Sequence, residues 1–311
     1  MLNKHFTDFG KDNGKFYVDY TPASTPVGNL RQESERYARE LAATGQRNIL
    51  GLSAGLDSQV VLHSFLSQGL PLESAFLYLP SFNEVEFKQL KMLEDRYQFK
   101  ANIVEIDPIA AKDSIMSESQ DLGIPPNQIL HKRFLSQLPP DANFIQGIEG
   151  PNIITRVINY KPIHYFFESF NSFEKSRIRA CYTLDRSGQY VSWERRSEIL
   201  LSILDDEIFK AYLDSSNYVI NNTLVYPGET EKPRLIDRWD LYIKPLMYAR
   251  YWKDELVYFA KYGGPEGIDY IMNGPKHQYM ACMMAVPFGK LIAHLKHGVG
   301  VLRLYETGFP K

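Results

Sequence analysis

Asn48-Ile49-Leu50-Gly51-Leu52-Ser53-Ala54-Gly55-Leu56-Asp57-Ser58, continued by Gln59-Val60-Val61-Leu62-His63-Ser64-Phe65-Leu66, sets an apolar run, a small-residue turn and a second apolar segment in direct succession. The run predicts a strand over 48–52, and the segment after the turn predicts a helix from about 58 to about 68. A junction of this kind is an anion site. The first N–H groups of a helix lack acceptors inside the helix, and the positive end of its dipole faces the turn. Ser53, Gly55 and Ser58 let a phosphate come close to the backbone, and the two hydroxyls can donate to its oxygens. Asp57 is the odd member, because a carboxylate beside a phosphate needs a cation between them. That points to Mg²⁺.

Ser53-Ala54-Gly55-Leu56-Asp57-Ser58 resembles the pyrophosphate-binding loop of the PP-loop (N-type) ATP pyrophosphatases, Ser-Gly-Gly-x-Asp-Ser/Thr. That superfamily includes the synthetase domains of asparagine synthetase, β-lactam synthetase, GMP synthetase and NAD synthetase, and several tRNA-modifying enzymes. The resemblance is strongest to the asparagine synthetase and β-lactam synthetase branch. It implies ATP and Mg²⁺ as cofactors, the six loop residues as the phosphate cradle, and Asp57 as a metal ligand. Ala54 departs from the family's second position, which is tolerable where that residue does not need positive φ. No Walker A pattern occurs. The plain alternative is an ordinary βα turn.

The succession around the loop supports the α/β reading. Lys15–Tyr20 alternates as a strand, and residues 29–44 have helical spacing with Gly45 behind them. Leu72–Leu79, Ala101–Ile106 and Asn143–Gly147 are further strand candidates. Helices are predicted over 84–97, near 109–119 and near 127–137. Strands alternating with helices argue a doubly wound, mostly parallel sheet, Rossmann-like and similar to the adenine nucleotide alpha hydrolases. Beyond about residue 160 the pattern shifts to helix-like spacing at 194–213 and 246–262, with frequent aromatics such as Phe166–Phe173. The expected organisation is an ATP-binding α/β domain over 1–160 and a largely helical, aromatic-rich region over 161–311, its aromatics packed between helices.

The chain has 311 residues, 44% hydrophobic and 23% charged, which suits an ordinary globular protein with a sizeable core. A net charge of −2 gives no electrostatic case for nucleic acid. Two cysteines, Cys181 and Cys282, form no Cys-x-x-Cys, which argues against a disulfide framework, a zinc ribbon and a persulfide relay. No apolar run is long enough to span a membrane, and the start of the chain lacks a signal-peptide core, so a cytoplasmic protein is expected.

Further site candidates follow from the resemblance. Gly147-Ile148-Glu149-Gly150-Pro151-Asn152 resembles the Ser-Gly-Glu-Gly-x-Asp-Glu that ends a later strand in the asparagine-synthetase branch. It implies Gly147 at the nucleotide, Glu149 in a catalytic role and Asn152 in the place of a metal-binding Asp. A Gly-Pro turn after a buried strand is the plain reading. In PP-loop enzymes the second strand reads the adenine edge, which nominates Phe76, Leu77 and Tyr78. Asn83 and Glu84 behind it could reach a ribose or simply cap a helix. Lys244, opening Lys244-Pro245-Leu246, resembles the family's lysine over the phosphates, where a cation stabilises departing pyrophosphate. Arg250 and Lys253 stand behind it, with a solvated helix face as their alternative. His294 and His297 lack a third ligand and fit half-buried histidines better than a metal pair.

These residues suit adenylation. An acceptor carboxylate or carbonyl oxygen attacks the α-phosphate of ATP, pyrophosphate leaves, and an amine or ammonia then displaces AMP. The expected partners are ATP and a small-molecule acceptor. A glutaminase domain does not fit before the loop, so ammonia would come free or from a partner. The alternatives are a PP-loop nucleobase- or tRNA-modifying enzyme and a nucleotide-binding scaffold without turnover.

Overall fold

The computed structural model describes residues 9–12, 15–24, 26–122, 126–147, 152–158, 161–170, 184, 189–214, 243–259 and 282–305. At its centre is a five-stranded parallel sheet. Its strands are β3 (Asn48–Gly51), β4 (Glu73–Tyr78), β5 (Ala101–Glu105), β6 (Asn143–Gln146) and β9 (Tyr190–Ser192), in the order β5-β4-β3-β6-β9. The chain builds outward from β3 through β4 to β5, then returns to the far side of β3 with β6 and β9. The order reverses at β3, so the crevice beyond the carboxyl ends of β3 and β6 is the place where such sheets bind ligands. The doubly wound arrangement expected from the sequence is present. Its last strand comes from beyond residue 160.

Local chemistry explains the helices. In α1 (Leu30–Ala43), Asn29 and Gln32 form a capping box, and Leu30, Tyr37, Ala38 and Leu41 turn inward on one face. In α2 (Leu56–Leu66) the run from Ser58 to Phe65 is buried on every side, so α2 is a core helix between α1 and the sheet. Helix α3 (Glu84–Tyr97) ends in a left-handed Gln98 at φ 53°. Helix α4 (Lys112–Leu122) starts later than the spacing predicts, because the Asp107 carboxylate accepts from the N–H groups of Ile109 and Ala110 at 2.9 and 3.0 Å. That bond pattern holds the preceding residues in a turn. Helix α5 (Pro126–Ser136) leads into β6.

The later part of the chain holds helices α6 (Ser197–Leu204), α7 (Glu207–Asp214), α8 (Lys244–Trp252) and α9 (Phe288–His297). Strands are present there too. β7 (Asn152–Ile158), β8 (Lys161–Phe170) and β10 (Cys282–Pro287) form an antiparallel sheet in the order β10-β8-β7. β1 (Phe9–Asp12), β2 (Lys15–Tyr20) and β11 (Leu302–Tyr305) form another. The aromatic run from Phe166, expected between helices, is strand as far as Phe170. Aromatic residues suit a pleated surface. The Phe166 ring meets Tyr20 edge-on at 6.0 Å.

One apolar cluster joins these parts, with Leu50, Val61 and Phe65 of the sheet region against Trp193, Tyr248, Trp252 and Leu291. Tyr37 and Trp193 rings lie 4.9 Å apart. Polar pairs tie neighbouring strands. Asn143 Nδ2 donates to Asn48 Oδ1 at 2.9 Å between β6 and β3, and the Tyr190 hydroxyl donates to Gln146 Oε1 at 3.0 Å between β9 and β6.

Candidate functional site

The loop Leu52–Gly55 connects β3 to the first turn of α2, at the reversal point of the sheet. Leu52 N–H donates to the Ala75 carbonyl at 2.9 Å, which holds the loop's first residue to β4. Ala54 then takes φ 60°, a left-handed conformation, with its methyl buried. The condition under which alanine would be harmless here is therefore not met. The loop carries a strain of about 1 kcal/mol that glycine would avoid. Gly55, by contrast, has φ −68° and ψ 162°, open to any residue, and an added Cβ would meet the Ser53 hydroxyl at 3.4 Å.

Gly55 is the N-cap of α2 and has no side chain to satisfy the helix end. Helix geometry leaves the amides of Leu56, Asp57 and Ser58 without acceptors inside the helix, while Gln59 N–H reaches the Gly55 carbonyl at 3.1 Å. Ser58 Oγ donates to the Gly55 carbonyl at 2.9 Å and lies 3.4 Å from Ser53 Oγ, so the two hydroxyls converge. Ser53 and Gly55 are exposed, and Ser58 is buried below them. The loop faces solvent at Ser53 and Gly55.

The acid of the loop is held from far along the chain. Lys244, the first residue of α8, places Nζ 2.5 Å from Asp57 Oδ2, and the Tyr248 hydroxyl donates to Oδ1 at 2.8 Å. The Lys244 side chain is 6% exposed and that of Asp57 16%. Burial of this depth makes the pair cost desolvation, which good geometry and the tyrosine bond offset. Gln59 fastens the chain beyond α8. Its Nε2 donates to the carbonyls of Ala54 and Val257, both at 2.9 Å, and its Oε1 accepts from Val257 N–H at 2.8 Å. The sequence reading did not single out Tyr248 or Gln59. Tyr248 lies four residues after Lys244, on the same helix face. Gln59 is the polar residue at the head of an apolar run.

Gly147 ends β6 against the same turn. A Cβ there would lie 2.7 Å from the Asp57 backbone carbon and 2.9 Å from Ser58 N. Only glycine lets β6 and the first turn of α2 meet this closely. Gly147 thus packs against the turn that was expected to hold the nucleotide. Glu149 lies outside the described residues. Asn152 opens β7 opposite Phe167, and its side chain is also outside the description.

β4 runs beyond β3. Gly51 pairs with Ala75, while Phe76, Leu77 and Tyr78 continue past the end of β3 and pair with β5. Phe76 is buried, and Leu77 and Tyr78 are half-buried. Asn83 and Glu84 close the exit of β4. Asn83 Nδ2 donates to the Leu77 carbonyl at 2.8 Å, and its Oδ1 accepts from Leu79 N–H at 2.7 Å. The Tyr78 hydroxyl donates to Glu84 Oε1 at 2.6 Å, and that bond pushes the phenol up to about 12 and holds the carboxyl below its ordinary range. Asn83 is the N-cap of α3 and Glu84 lies in its first turn, as the sequence suggests, although the Asn83 side chain makes no capping bond to the helix.

The other candidates are placed elsewhere. Arg250 pairs with Glu207 at 3.3 Å, and Lys253 is exposed. His294 Nε2 lies 2.9 Å from the Tyr20 carbonyl, and His297 is exposed. Among the described residues no group of three or more His, Cys, Asp or Glu side chains could hold a metal ion. Asp57 supplies one carboxylate, which fits a Mg²⁺ that arrives on a triphosphate and takes most of its ligands from phosphate and water. A separate cleft of about 730 Å³ runs along β5, lined by residues that include Asn102, Glu105, Asp107 and Arg133. It lies two strands from β3.

No protein-family model and no curated protein matches the chain. Among solved structures, the NMN synthetase of Francisella tularensis is similar at 12% identity and a TM-score of 0.33, over 76% of this chain and 99% of that one. The NH3-dependent NAD synthetase of Campylobacter jejuni is similar at 12% identity and a TM-score of 0.32, over 75% of this chain and 97% of that one. Overlap at this level names no class for the chain, and the loop geometry stands without it. No helix among the described residues is long and apolar enough to cross a membrane.

Proposed function

We propose that the protein is an ATP-dependent, AMP- and pyrophosphate-forming ligase that adenylates a carboxylate or carbonyl of a small molecule for attack by an amine or ammonia. The observation that carries this reading is the meeting of Lys244 with Asp57 at the N-terminus of α2, at the reversal point of a parallel sheet. A loop of exposed backbone and paired hydroxyls, a single acid and one buried ammonium is the set that pyrophosphate departure needs. Ser53 to Ser58 would bind the β- and γ-phosphates. Lys244 would place its charge where negative charge grows on the leaving group. Phe76–Tyr78, where β4 runs past the end of β3, would meet the adenine edge. Asp57, with Asn152 as a further candidate, would hold Mg²⁺, which neutralises phosphate charge when bound. Glu149 is proposed at the same crevice because it follows Gly147 by two residues. Residues beyond 160 would shape the acceptor pocket.

A second reading, nucleotide binding without turnover, is favoured by Ala54, whose left-handed backbone strains the loop. Incubation with ATP and Mg²⁺ over a panel of carboxylates, with ammonium or simple amines, separates the two. The ligase reading expects AMP and pyrophosphate in equal amounts with one acceptor class, and their loss in Asp57→Asn. Binding of ATP with no product over the whole panel would favour the scaffold.

A further inference from the structure

We propose that Gln59 is a positioning residue of the phosphate loop, fixing the Ala54–Gly55 peptide so that the Gly55 N–H is turned outward toward a phosphate oxygen. This rests on the phosphate-loop reading above and adds what holds the loop in shape. Gln59 is fully buried near the start of α2, and side chains on a helix lean back toward its N-terminus. Its amide reaches past the helix start. Nε2 donates one hydrogen to the Ala54 carbonyl and the other to the Val257 carbonyl, both at 2.9 Å, while Oε1 accepts from Val257 N–H at 2.8 Å. Turning the amide over would set Oε1 against two carbonyl oxygens, so one orientation alone satisfies all three groups.

The anchor at Val257 is itself held from elsewhere. Arg31 of α1 donates to the Tyr251 carbonyl at 2.9 Å, Arg96 of α3 to the Asp254 carbonyl, and the Tyr97 hydroxyl to the Glu255 carbonyl. Helices α1 and α3 thus fix the segment that fixes Gln59. From Gln59 the constraint passes to the loop. Ala54 sits at φ 60°, where an alanine is strained and gains by relaxing to negative φ. The Gln59 bond opposes that relaxation by holding the Ala54 carbonyl inward. That carbonyl and the Gly55 N–H belong to one trans peptide and point in opposite directions. The Gly55 N–H therefore faces away from the buried amide, at a residue that is exposed. A donor aimed in advance needs no reorganisation when an anion arrives.

The test is calorimetric binding of inorganic pyrophosphate to the full chain in a Mg²⁺ buffer, at a temperature where every form is folded. Gln59→Met is close in shape but lacks the three bonds. It is expected to bind at least about tenfold more weakly than wild type, the equivalent of about one hydrogen bond. Adding Ala54→Gly removes the drive to relax and is expected to recover at least about threefold of that affinity. A residue that serves stability alone would move neither figure, because affinity is read on folded protein. Unchanged affinity in Gln59→Met, or no recovery in the double variant, would overturn the positioning role and leave the phosphate site standing. No binding by wild type would overturn both. If Gln59→Met does not fold, the wild-type protein still decides by NMR. Its Gly55 amide is expected to shift on pyrophosphate binding, while the side-chain amide protons of Gln59 stay protected from solvent exchange. Rapid exchange of those protons, or an unmoved Gly55 resonance at saturation, would overturn the proposal.

Discussion

At the carboxyl end of β4, Asn83 and Glu84 find their partners within six residues, on Leu77, Tyr78, Leu79 and Ser81. At the carboxyl end of β3, beside it in the same sheet, Asp57 takes Lys244 and Tyr248 from 187 and 191 residues further along the chain. Both ends carry a carboxylate near a helix start, yet they do different work. Local partners close a turn, and any change there is felt as lost stability. Distant partners bring two parts of the chain to one charge, and a ligand can compete for such a contact. The difference supports the proposal that phosphate is bound at the end of β3.

Gln59→Leu attacks the fastening of that distant segment and is expected to have the largest effect. It would remove three hydrogen bonds to backbone groups, one on buried Ala54 and two on half-buried Val257. A loss of about 3 kcal/mol in urea unfolding is expected. A loss under about 1 kcal/mol would mean that the segment at Val257 is not held to the loop. Gly147→Ala comes next, at about 2 kcal/mol, because its methyl would press on the Asp57 backbone. A neutral result there would show that β6 and the loop do not meet this closely.

The junction of α2 with the segment after α8 also gives a pH signature. His63 lies edge-on to Tyr97 at 4.5 Å, and burial lowers its pKa to about 4, against a smaller opposing pull from Glu255. The unfolded chain binds the proton near pH 6.5 and the folded chain near pH 4, so this contribution is whole above pH 6.5 and falls away as the pH drops. Between about pH 7 and about pH 5 the loss is on the order of 2 kcal/mol. His63→Leu should flatten that part of the profile, measured as the difference between the two proteins. An unchanged slope would contradict the buried, neutral histidine. Asn83→Ala is expected to be the mildest, costing about 1 kcal/mol in stability while pyrophosphate affinity stays within about twofold of wild type. A larger loss of affinity would erase the contrast between the two strand ends.

The parallel sheet was legible because each of its first elements is a local signal. The apolar run at 48–51, Gly45 behind α1 and the turn residues near Pro80 can be read without knowing what they pack against. The turn between β3 and α2 was legible for the same reason, whereas Lys244, which the fold brings to Asp57, was nominated only through the resemblance. The antiparallel strands beyond residue 150 were not, because their aromatics serve helix packing and sheet packing equally well and only the pairing of β7, β8 and β10 decides between them. Tyr248 and Gln59 escaped notice because their partners are distant in sequence. The cost at Ala54 was foreseen as a condition on φ, which the folded loop then fixed.

The most direct measurement of the central claim is a backbone amide NMR titration with pyrophosphate and Mg²⁺. The account predicts that the largest shifts fall on residues 53–58, with Lys244 and Tyr248 following, while Asn102–Asp107 along the β5 cleft stay still. Shifts centred on that cleft, or none at the loop at saturating ligand, would contradict it.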